Sequence, residues 1–571
     1  MFHFLKQLSP ASRSDRSLKR RRHSFRPGVE VAEHRVLLST FYVATNGSDA
    51  NNGLSLGVPF KTIQHGLDMA AHAGDTILVR GGTYHEQLVF THSGSAAGGY
   101  ITLQPYGSEH PILDGRGTAN NDIGYGNNLV QIVNISYVKL IGFEIAHENG
   151  VSVQDDAFGV RVQGSGTNVS ILNNVVHDIA GSASAGLGGA GIHVYGSSLT
   201  TPYSNVLING NTIYGCQPGF SQTEVLTVNG NVTNFQIIGN VIRDCNNIGI
   251  DMIGGEAAVF GKPDGTQGLP VARNGVCSHN TVYNIHASYG GGFAGAIYVD
   301  GGKNITISDN VSYQNDMGLE VGAENHGYVT SGVLVENNLF YNNNQGGIVF
   351  GGYDSTRGRV QNCTFINNTV YNCDRTNTGQ GALQISYASN NLVANNIFVA
   401  SANNVLINSP YANSNSGNTL DYNLYYTSGG TSNAGFSWNG RSFTTFAAYK
   451  QATSQDAHSL FANPQFVNAG LKNFHLASNS PTINAGSTRS GWYTTTDFDG
   501  KARDLHPDIG AYEYIANGRP AAAHQSPSRS LPSWASTGGN VNLSGELETG
   551  TKRVSRLMSH PRFMSFAESA P

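Results

Sequence analysis

One seven-residue pattern recurs along this chain and leaves few folds open. It reads GVRVQGS at 159–165, GIHVYGS at 191–197, GIDMIGG at 249–255, AIYVDGG at 296–302, GLEVGAE at 318–324, GIVFGGY at 347–353 and ALQISYA at 382–388. VLTVNGN at 225–231 and the segment around Val405-Leu406-Ile407-Asn408 fit more loosely. The second and fourth places are apolar throughout, as in Val160/Val162, Ile192/Val194, Ile250/Met252, Ile297/Val299, Leu319/Val321, Ile348/Phe350 and Leu383/Ile385, while the third and fifth vary. A period of two with one apolar face describes a half-buried strand.

Each such strand is followed by an asparagine that opens a turn into another short strand: Asn174, Asn211, Asn240, Asn280, Asn310, Asn338, Asn368 and Asn396. The last four intervals are 30, 28, 30 and 28 residues by subtraction. A repeat of that length, with short strands and no helix, is one coil of a β-solenoid. Stacked coils place the same asparagine above itself, where side-chain amides hydrogen-bond in a ladder, and asparagine tolerates left-handed turns. The expected fold is an all-β, right-handed parallel β-helix. Asn280, Asn310, Asn338 and Asn368 should stack at the strand separation of about 4.8 Å. A β-sandwich does not explain the asparagine register, and the consensus of leucine-rich repeats is missing.

The bulk numbers agree. Glycine reaches 71 of 571 residues and charged residues only 12 %, which means many turns and few solvated helices. A net charge of -5 gives no basic stripe for nucleic acid, and no apolar run is long enough to span a membrane. The five cysteines form no C-x-x-C pair, which argues against a metal knuckle. Cys216 and Cys245 each lie five residues past their asparagine and read as stacked buried thiols. Residues 61–71 form a short amphipathic helix with Ile63, Leu67, Ala70 and Ala71 on one side, fit to cover the open edge of the first coil. The organisation expected is a basic leader at 1–40, the β-helix at 41–465, a small β-rich module at 466–514 and a disordered tail at 515–571. The leader carries Lys19-Arg20-Arg21-Arg22-His23 but no apolar core of an export signal follows it.

The outward places of the strand repeat are where chemistry can sit. Along the stack the third place reads Arg161, His193, Thr227, Asp251, Tyr298, Glu320, Val349, Gln384 and Leu406; the fifth reads Gln163, Tyr195, Asn229, Ile253, Asp300, Gly322, Gly351, Ser386 and Asn408. Three carboxylates, Asp251, Asp300 and Glu320, thus gather on successive coils, with Tyr298 between Asp251 and Glu320. Arg161, His193 and Tyr195 lie toward one end as substrate contacts. Strand geometry puts Asp300 and Glu320 about 8 Å apart and Asp251 and Glu320 about 9.6 Å apart. Glycosidases of inverting type hold their carboxyls roughly 6.5–9.5 Å apart and retaining ones about 5–5.5 Å, so the spacing leaves the stereochemistry open. Crowded carboxylates also raise one another's pKa, as a general acid requires. The longer connections 254–276 and 285–295 would form walls, carrying Glu256, Lys262, Asp264, Arg273 and His286 as further candidates. A structural cation or a solvated acidic face is the plainer alternative for the same carboxylates.

Phe41-Tyr42-Val43-Ala44-Thr45-Asn46-Gly47-Ser48-Asp49, Pro59-Phe60-Lys61-Thr62-Ile63 and Gly74-Asp75-Thr76-Ile77 resemble the opening of bacterial right-handed β-helix proteins of the pectate-lyase-like superfamily. Ser480-Pro481-Thr482-Ile483-Asn484-Ala485-Gly486, Asp497-Phe498-Asp499-Gly500 and Asp508-Ile509-Gly510-Ala511-Tyr512-Glu513 look like the C-terminal module of extracellular β-helix proteins. The resemblance implies an extracellular or cell-surface protein acting on polysaccharide, as a monomer. The turn Asn315-Asp316-Met317-Gly318-Leu319-Glu320 is similar to the acidic calcium turn of family nine pectate lyases, which implies Asp316 and Glu320 as calcium ligands. Met317 replaces another carboxylate of that turn, and Asp300 stands where the family has its lysine base; Lys303 is off the strand place. The expectation is therefore a polysaccharide-cleaving enzyme using Asp300 and Glu320, with no cofactor needed for hydrolysis. The alternatives are a calcium-dependent lyase, an epimerase and a non-catalytic glycan-binding surface protein.

Overall fold

The structure, a computed structural model, describes residues 38–516 except 117, 119–126, 149–156, 181–187, 218–223, 288–292, 353 and 356. The basic leader and the C-terminal tail fall outside the described residues, save 38–40 and 515–516. Within them the chain winds as a parallel β-helix with three long sheets of 19, 13 and 13 strands. One coil shows the pattern. Arg273–Ser278 joins the first sheet, Thr281–His286 the second and Ile297–Asp300 the third; then Lys303–Ser308, Val311–Tyr313 and Leu319–Gly322 repeat the circuit one layer up. The pairing of Tyr298 with Glu320 and of Val299 with Val321 is parallel. The apolar places of the seven-residue repeat, such as Ile250, Met252, Ile297, Val299, Leu319 and Val321, are fully buried in one continuous core along the axis. Alternation explains this: in a strand every second side chain faces the same way.

The asparagine ladder is formed. Each Nδ2 donates to the Oδ1 of the next, from Asn174 through Asn211, Asn240, Asn280, Asn310, Asn338, Asn368 and Asn396 to Asn423, at 2.9–3.1 Å. Each backbone N–H along the run donates to the same Oδ1, as Asn310 does to Asn338 at 2.9 Å. The left-handed residue, however, is the one before each ladder asparagine: Asn173, Gly210, Gly239, His279, Asp309, Asn337, Asn367 and Asn395 all have positive φ. The ladder asparagines are selected for their amides, and their predecessors for the turn. Asn315 and Asn343 form a second, shorter ladder, and Asn391 and Asn418 a third.

Both ends are closed. The helix Ile63–Met69 begins at Thr62, whose hydroxyl caps His65 N–H at 3.3 Å, and buries Ile63 and Leu67 over the first coil. Gly66 allows this approach, since a Cβ there would lie 3.0 Å from Ile77 and 3.1 Å from Val43. A second helix, Phe446–Thr453, plugs the far end with Phe446 and Tyr449 against Phe436 and Tyr425. Beyond it the antiparallel pair Phe466–Asn468 and Asn473–Leu476 and the irregular chain to residue 514 lie along the second sheet. Phe474, Phe498 and Tyr512 pack there on Val311, Leu339 and Tyr341. The five cysteines are free and buried. Among the described residues no helix is long and apolar enough to cross a membrane.

Candidate active site

The third sheet carries the outward row in the expected register. Arg161 pairs with His193, His193 with Thr227, Thr227 with Asp251, Asp251 with Tyr298, Tyr298 with Glu320, Glu320 with Val349 and Val349 with Gln384. The last step differs: Gln384 pairs with Asn408, and Leu383 with Ile407, so Asn408 takes the place expected for Leu406. Leu406 is buried instead. Tyr298 does stand between the Asp251 and Glu320 strands, and Asp300 lies opposite Gly322.

The row is not an open groove. Asp251, Tyr298, Asp300 and Glu320 are all buried. Two loops, which leave the strands ending at Ile253 and Gly322 on either side of the Tyr298 strand, join into a roof at this end of the row. Gly254 N–H donates to Asp300 C=O at 2.7 Å, the Asn325 amide donates to Gly254 C=O at 3.2 Å, and the Gln267 amide donates to His326 C=O at 2.6 Å. Tyr328 locks them together, its hydroxyl accepting from Leu269 N–H at 2.8 Å and donating to Thr266 C=O at 3.0 Å. Ala257, Leu269, Val271, Ala323 and Tyr328 form a small apolar cluster of their own beneath this seam. The expected wall at 254–276 is therefore a roof docked on 323–328, while 288–292 of the other long connection lies outside the described residues.

Under the roof the charges are nearly all of one sign. Burial raises the Asp251 carboxyl well above its ordinary value, and Glu224, Asp300, Glu324 and Glu320 push it further. Burial likewise raises Asp300, with Glu324, Glu256 and Glu320 adding repulsion and the Glu324 backbone N–H opposing by donating to its Oδ1. Glu320 rises to about 8, from burial first and Glu324 second. Asp300 and Glu320 thus act on Asp251, and Glu320 on Asp300, while Glu320 itself answers to burial and Glu324. The structure adds Glu224 and Glu324, which sequence reasoning missed; Glu256, a candidate from the sequence, accepts at Oε2 from the Asn229 amide. The Tyr298 hydroxyl reaches Glu324 Oε1 at 3.3 Å.

Arg161, His193 and Tyr195 form a separate cluster two to three strands before Asp251. His193 Nε2 donates to Glu224 C=O at 2.6 Å, so its Nδ1 accepts from Tyr195 OH at 2.8 Å. Burial holds this imidazole neutral, its pKa pressed down to about 3, with Arg161 adding repulsion. The Arg161 guanidinium lies over the rings of Phe158 and Tyr195 at 4.6 and 5.1 Å and donates to Gln163. Asp316 has other partners than Glu320: Oδ1 meets His286 Nδ1 at 2.8 Å, and Oδ2 accepts from Ala287 and Ala294 N–H at 2.9 and 3.3 Å. Arg273 binds Asn231 and the Val271 carbonyl, and Lys262, Asp264 and Lys303 are exposed.

Buried Asp251 Oδ1 and Asn229 Oδ1 have no hydrogen-bond partner among the described residues. Hard carboxylate and amide oxygens are the donors calcium takes, but among the described residues the carboxyl oxygens of Asp251, Asp300 and Glu320 do not converge closely enough to share one ion, and Asp316 is engaged by His286, Ala287 and Ala294.

Two family models match the chain: a Pel9A-like, right handed beta helix region over residues 41–245 and a right handed beta helix region over 224–370. Both carry the expected hand. The uncharacterized protein YwoF of Bacillus subtilis (strain 168) is 35 % identical over 446 residues, spanning 77 % of this chain and 91 % of that protein. Among solved structures the chain is similar to pectate lyase Pel9A at 15 % identity and a TM-score of 0.44, over 84 % of this chain and 96 % of that one. It is similar to XylC in complex with xylose at 14 % and 0.46, over 84 % and 99 %. A GH136 lacto-N-biosidase from Eubacterium ramulus aligns at 15 % and 0.44, over 68 % of this chain and 64 % of that one, less than two thirds of its length.

Proposed function

Because the chain belongs to the pectate-lyase-like right-handed β-helix family, in common with YwoF, we propose that it is a polysaccharide-cleaving enzyme of the cell exterior whose working groups are Asp300, Glu320 and Asp251. The observation that supports this most is the set of carboxyls held together in a dry site with raised pKa values. A buried carboxyl that keeps its proton near neutral pH can donate it to a glycosidic oxygen. Once one of the coupled groups ionises, it opposes ionisation of the next, so an acid and a base coexist in the same site. In this reading Asp300 and Glu320 are the acid and the base or nucleophile, and Asp251 tunes them. Tyr298 supplies a hydroxyl between the strands. The carboxylates are buried in this structure, so a chain of sugars reaches them only once the site opens.

The unpartnered Asp251 Oδ1 favours one second reading. In a lyase of this family calcium neutralises a uronate carboxyl; here Asp251 offers the free oxygen that a cation could meet. This chain would then need a base, and Asp300 stands at the strand place that family nine pectate lyases give to lysine.

A screen of plant and algal polysaccharides with the purified chain separates these readings. Hydrolysis releases reducing ends without unsaturated products and survives chelation. Lyase action gives unsaturated uronates and is lost on chelation. Glycan binding without turnover, unchanged in Asp300→Asn and Glu320→Gln, would reject both in favour of a binding protein.

A further inference from the structure

On the second sheet, away from the carboxylate site, the corner that follows the strands Glu144–Ala146 and Val175–His177 collects imidazoles and carboxylates. The corner column is left-handed and varied in type: Asp244, Asn284, Gln314, Asn342 and Asn372 have φ of 52°, 55°, 56°, 55° and 54°. In two early coils the same column holds His147 at φ 61° and Asp178 at φ 52°. The next residue in the column is Gly215, and a Cβ there would lie 2.7 Å from Asp178 Oδ1, so glycine leaves the carboxylate its place.

Three ligand atoms, one each from His147, His177 and Asp178, lie within 4.8 Å of one another. His177 Nδ1 is 2.8 Å and His147 Nε2 3.9 Å from the same oxygen, Asp178 Oδ2. Tetrahedral zinc with bonds of about 2.0–2.1 Å separates its ligand atoms by about 3.3 Å, between those two values. The outer nitrogens each face a further carboxylate: His147 Nδ1 lies 3.3 Å from Asp114 Oδ1, and His177 Nε2 lies 3.2 Å from Glu144 Oε1. That is how metal-binding imidazoles are oriented, one nitrogen to the ion and the other to a carboxylate behind it. Of the two, the His177–Glu144 contact is a hydrogen bond, while His147 Nδ1 is buried beside Asp114, which Arg116 holds, without completing one. His177 is fixed from the side by Tyr214, stacked at 4.7 Å and 2°. The Asp178 side chain is half exposed, which leaves solvent access to a fourth position.

We propose that His147, His177 and Asp178 bind a divalent transition-metal ion with a preference for imidazole, zinc foremost, with Asp114 and Glu144 positioning the two rings. The ion ties together adjacent coils at a corner where the other coils make a left-handed turn. Binding displaces the proton that His177 shares with Asp178, because only a neutral imidazole nitrogen donates its lone pair. This site is independent of the carboxylate row and stands or falls without the enzymatic reading.

The test is a calorimetric titration of the metal-stripped full-length chain with Zn²⁺ alone. One ion per chain should bind, with a rise in melting temperature. Binding should be lost in His147→Gln and His177→Gln, and about 10–100-fold weaker in Asp114→Asn or Glu144→Gln. Asp251→Asn, in the other acidic cluster, should bind as the parent does. Cobalt loading of the unaltered chain should give the visible absorption of low-coordinate nitrogen–oxygen ligation, a readout that needs no variant to fold. Absence of saturable binding, a cobalt spectrum of the hydrated ion only, or binding unchanged in both histidine variants would overturn the proposal, as would its loss in Asp251→Asn.

Discussion

Burial changes what a carboxyl does. Asp251, Asp300 and Glu320 would ionise near pH 4 in water; beneath the roof they resist it. With Glu320 raised to about 8 from 4.5, the native state holds a proton that the unfolded chain releases. Its contribution to stability is complete below pH 4.5 and is lost as pH rises through about 8. Chemical denaturation of Glu320→Gln against the parent should therefore show the parent losing ground steadily between these limits; a constant difference would refute the buried, protonated state. The three carboxylates were legible in the sequence because they occupy the period-two places of a strand. Glu224 and Glu324 were not. They sit where strand passes into loop, and there alternation no longer says which way a side chain points. The burial was not legible either, because the roof comes from loops joined by Tyr328, Gln267 and Asn325 across some sixty to seventy residues of sequence.

The coil is held by its ladder as much as by its core. Asn338 accepts from both Asn310 N–H groups and donates to Asn368 and to Ile307 C=O, all without solvent. Asn338→Ala orphans several buried groups at once, each costing about 1–3 kcal/mol; a loss of at least about 2 kcal/mol in a denaturant titration is expected. The ladder ends on a carboxylate. Asn423 donates to Asp456, which also accepts from Tyr425, Tyr449 and Ser459. Burial raises Asp456 to about 6 even so. Its contribution is complete below pH 3.8 and lost as pH rises through about 6. Asp456→Asn puts an amide among four donors and should lower the melting temperature at pH 5, while flattening the pH dependence between about 4 and 6. The ladder was legible from spacing alone. The last coil's register was not: Leu406 and Ile407 are both buried, so Val405-Leu406-Ile407-Asn408 offers no alternation, and the pairing beyond it shifts at Val405 and Ile407.

At the scale of the whole molecule, a solenoid must close its ends and protect any sheet face left apolar. The N-terminal helix was readable from its period; the helix Phe446–Thr453 and the docking of 466–514 were not, since neither repeats. That segment covers Val311, Leu339 and Tyr341 and inserts the Arg503–Glu513 pair, 3.1 Å apart, with Arg503 reaching Asn337 Oδ1 at 3.1 Å. Ending the chain at residue 465 should expose this face, lower the melting temperature and raise binding of an apolar dye; an unchanged melt would show the segment to be dispensable. The enzymatic reading rests on one arrangement of the whole stack, in which three coils bring Asp251, Asp300 and Glu320 into one dry cluster. Its most direct test is turnover by Asp300→Asn and Glu320→Gln, which keep shape and remove proton transfer, on the best substrate of the polysaccharide screen. Each change should lower kcat by about 10²–10⁴-fold with the circular dichroism spectrum and melting temperature near the parent's; near-full activity in both folded variants would contradict the account.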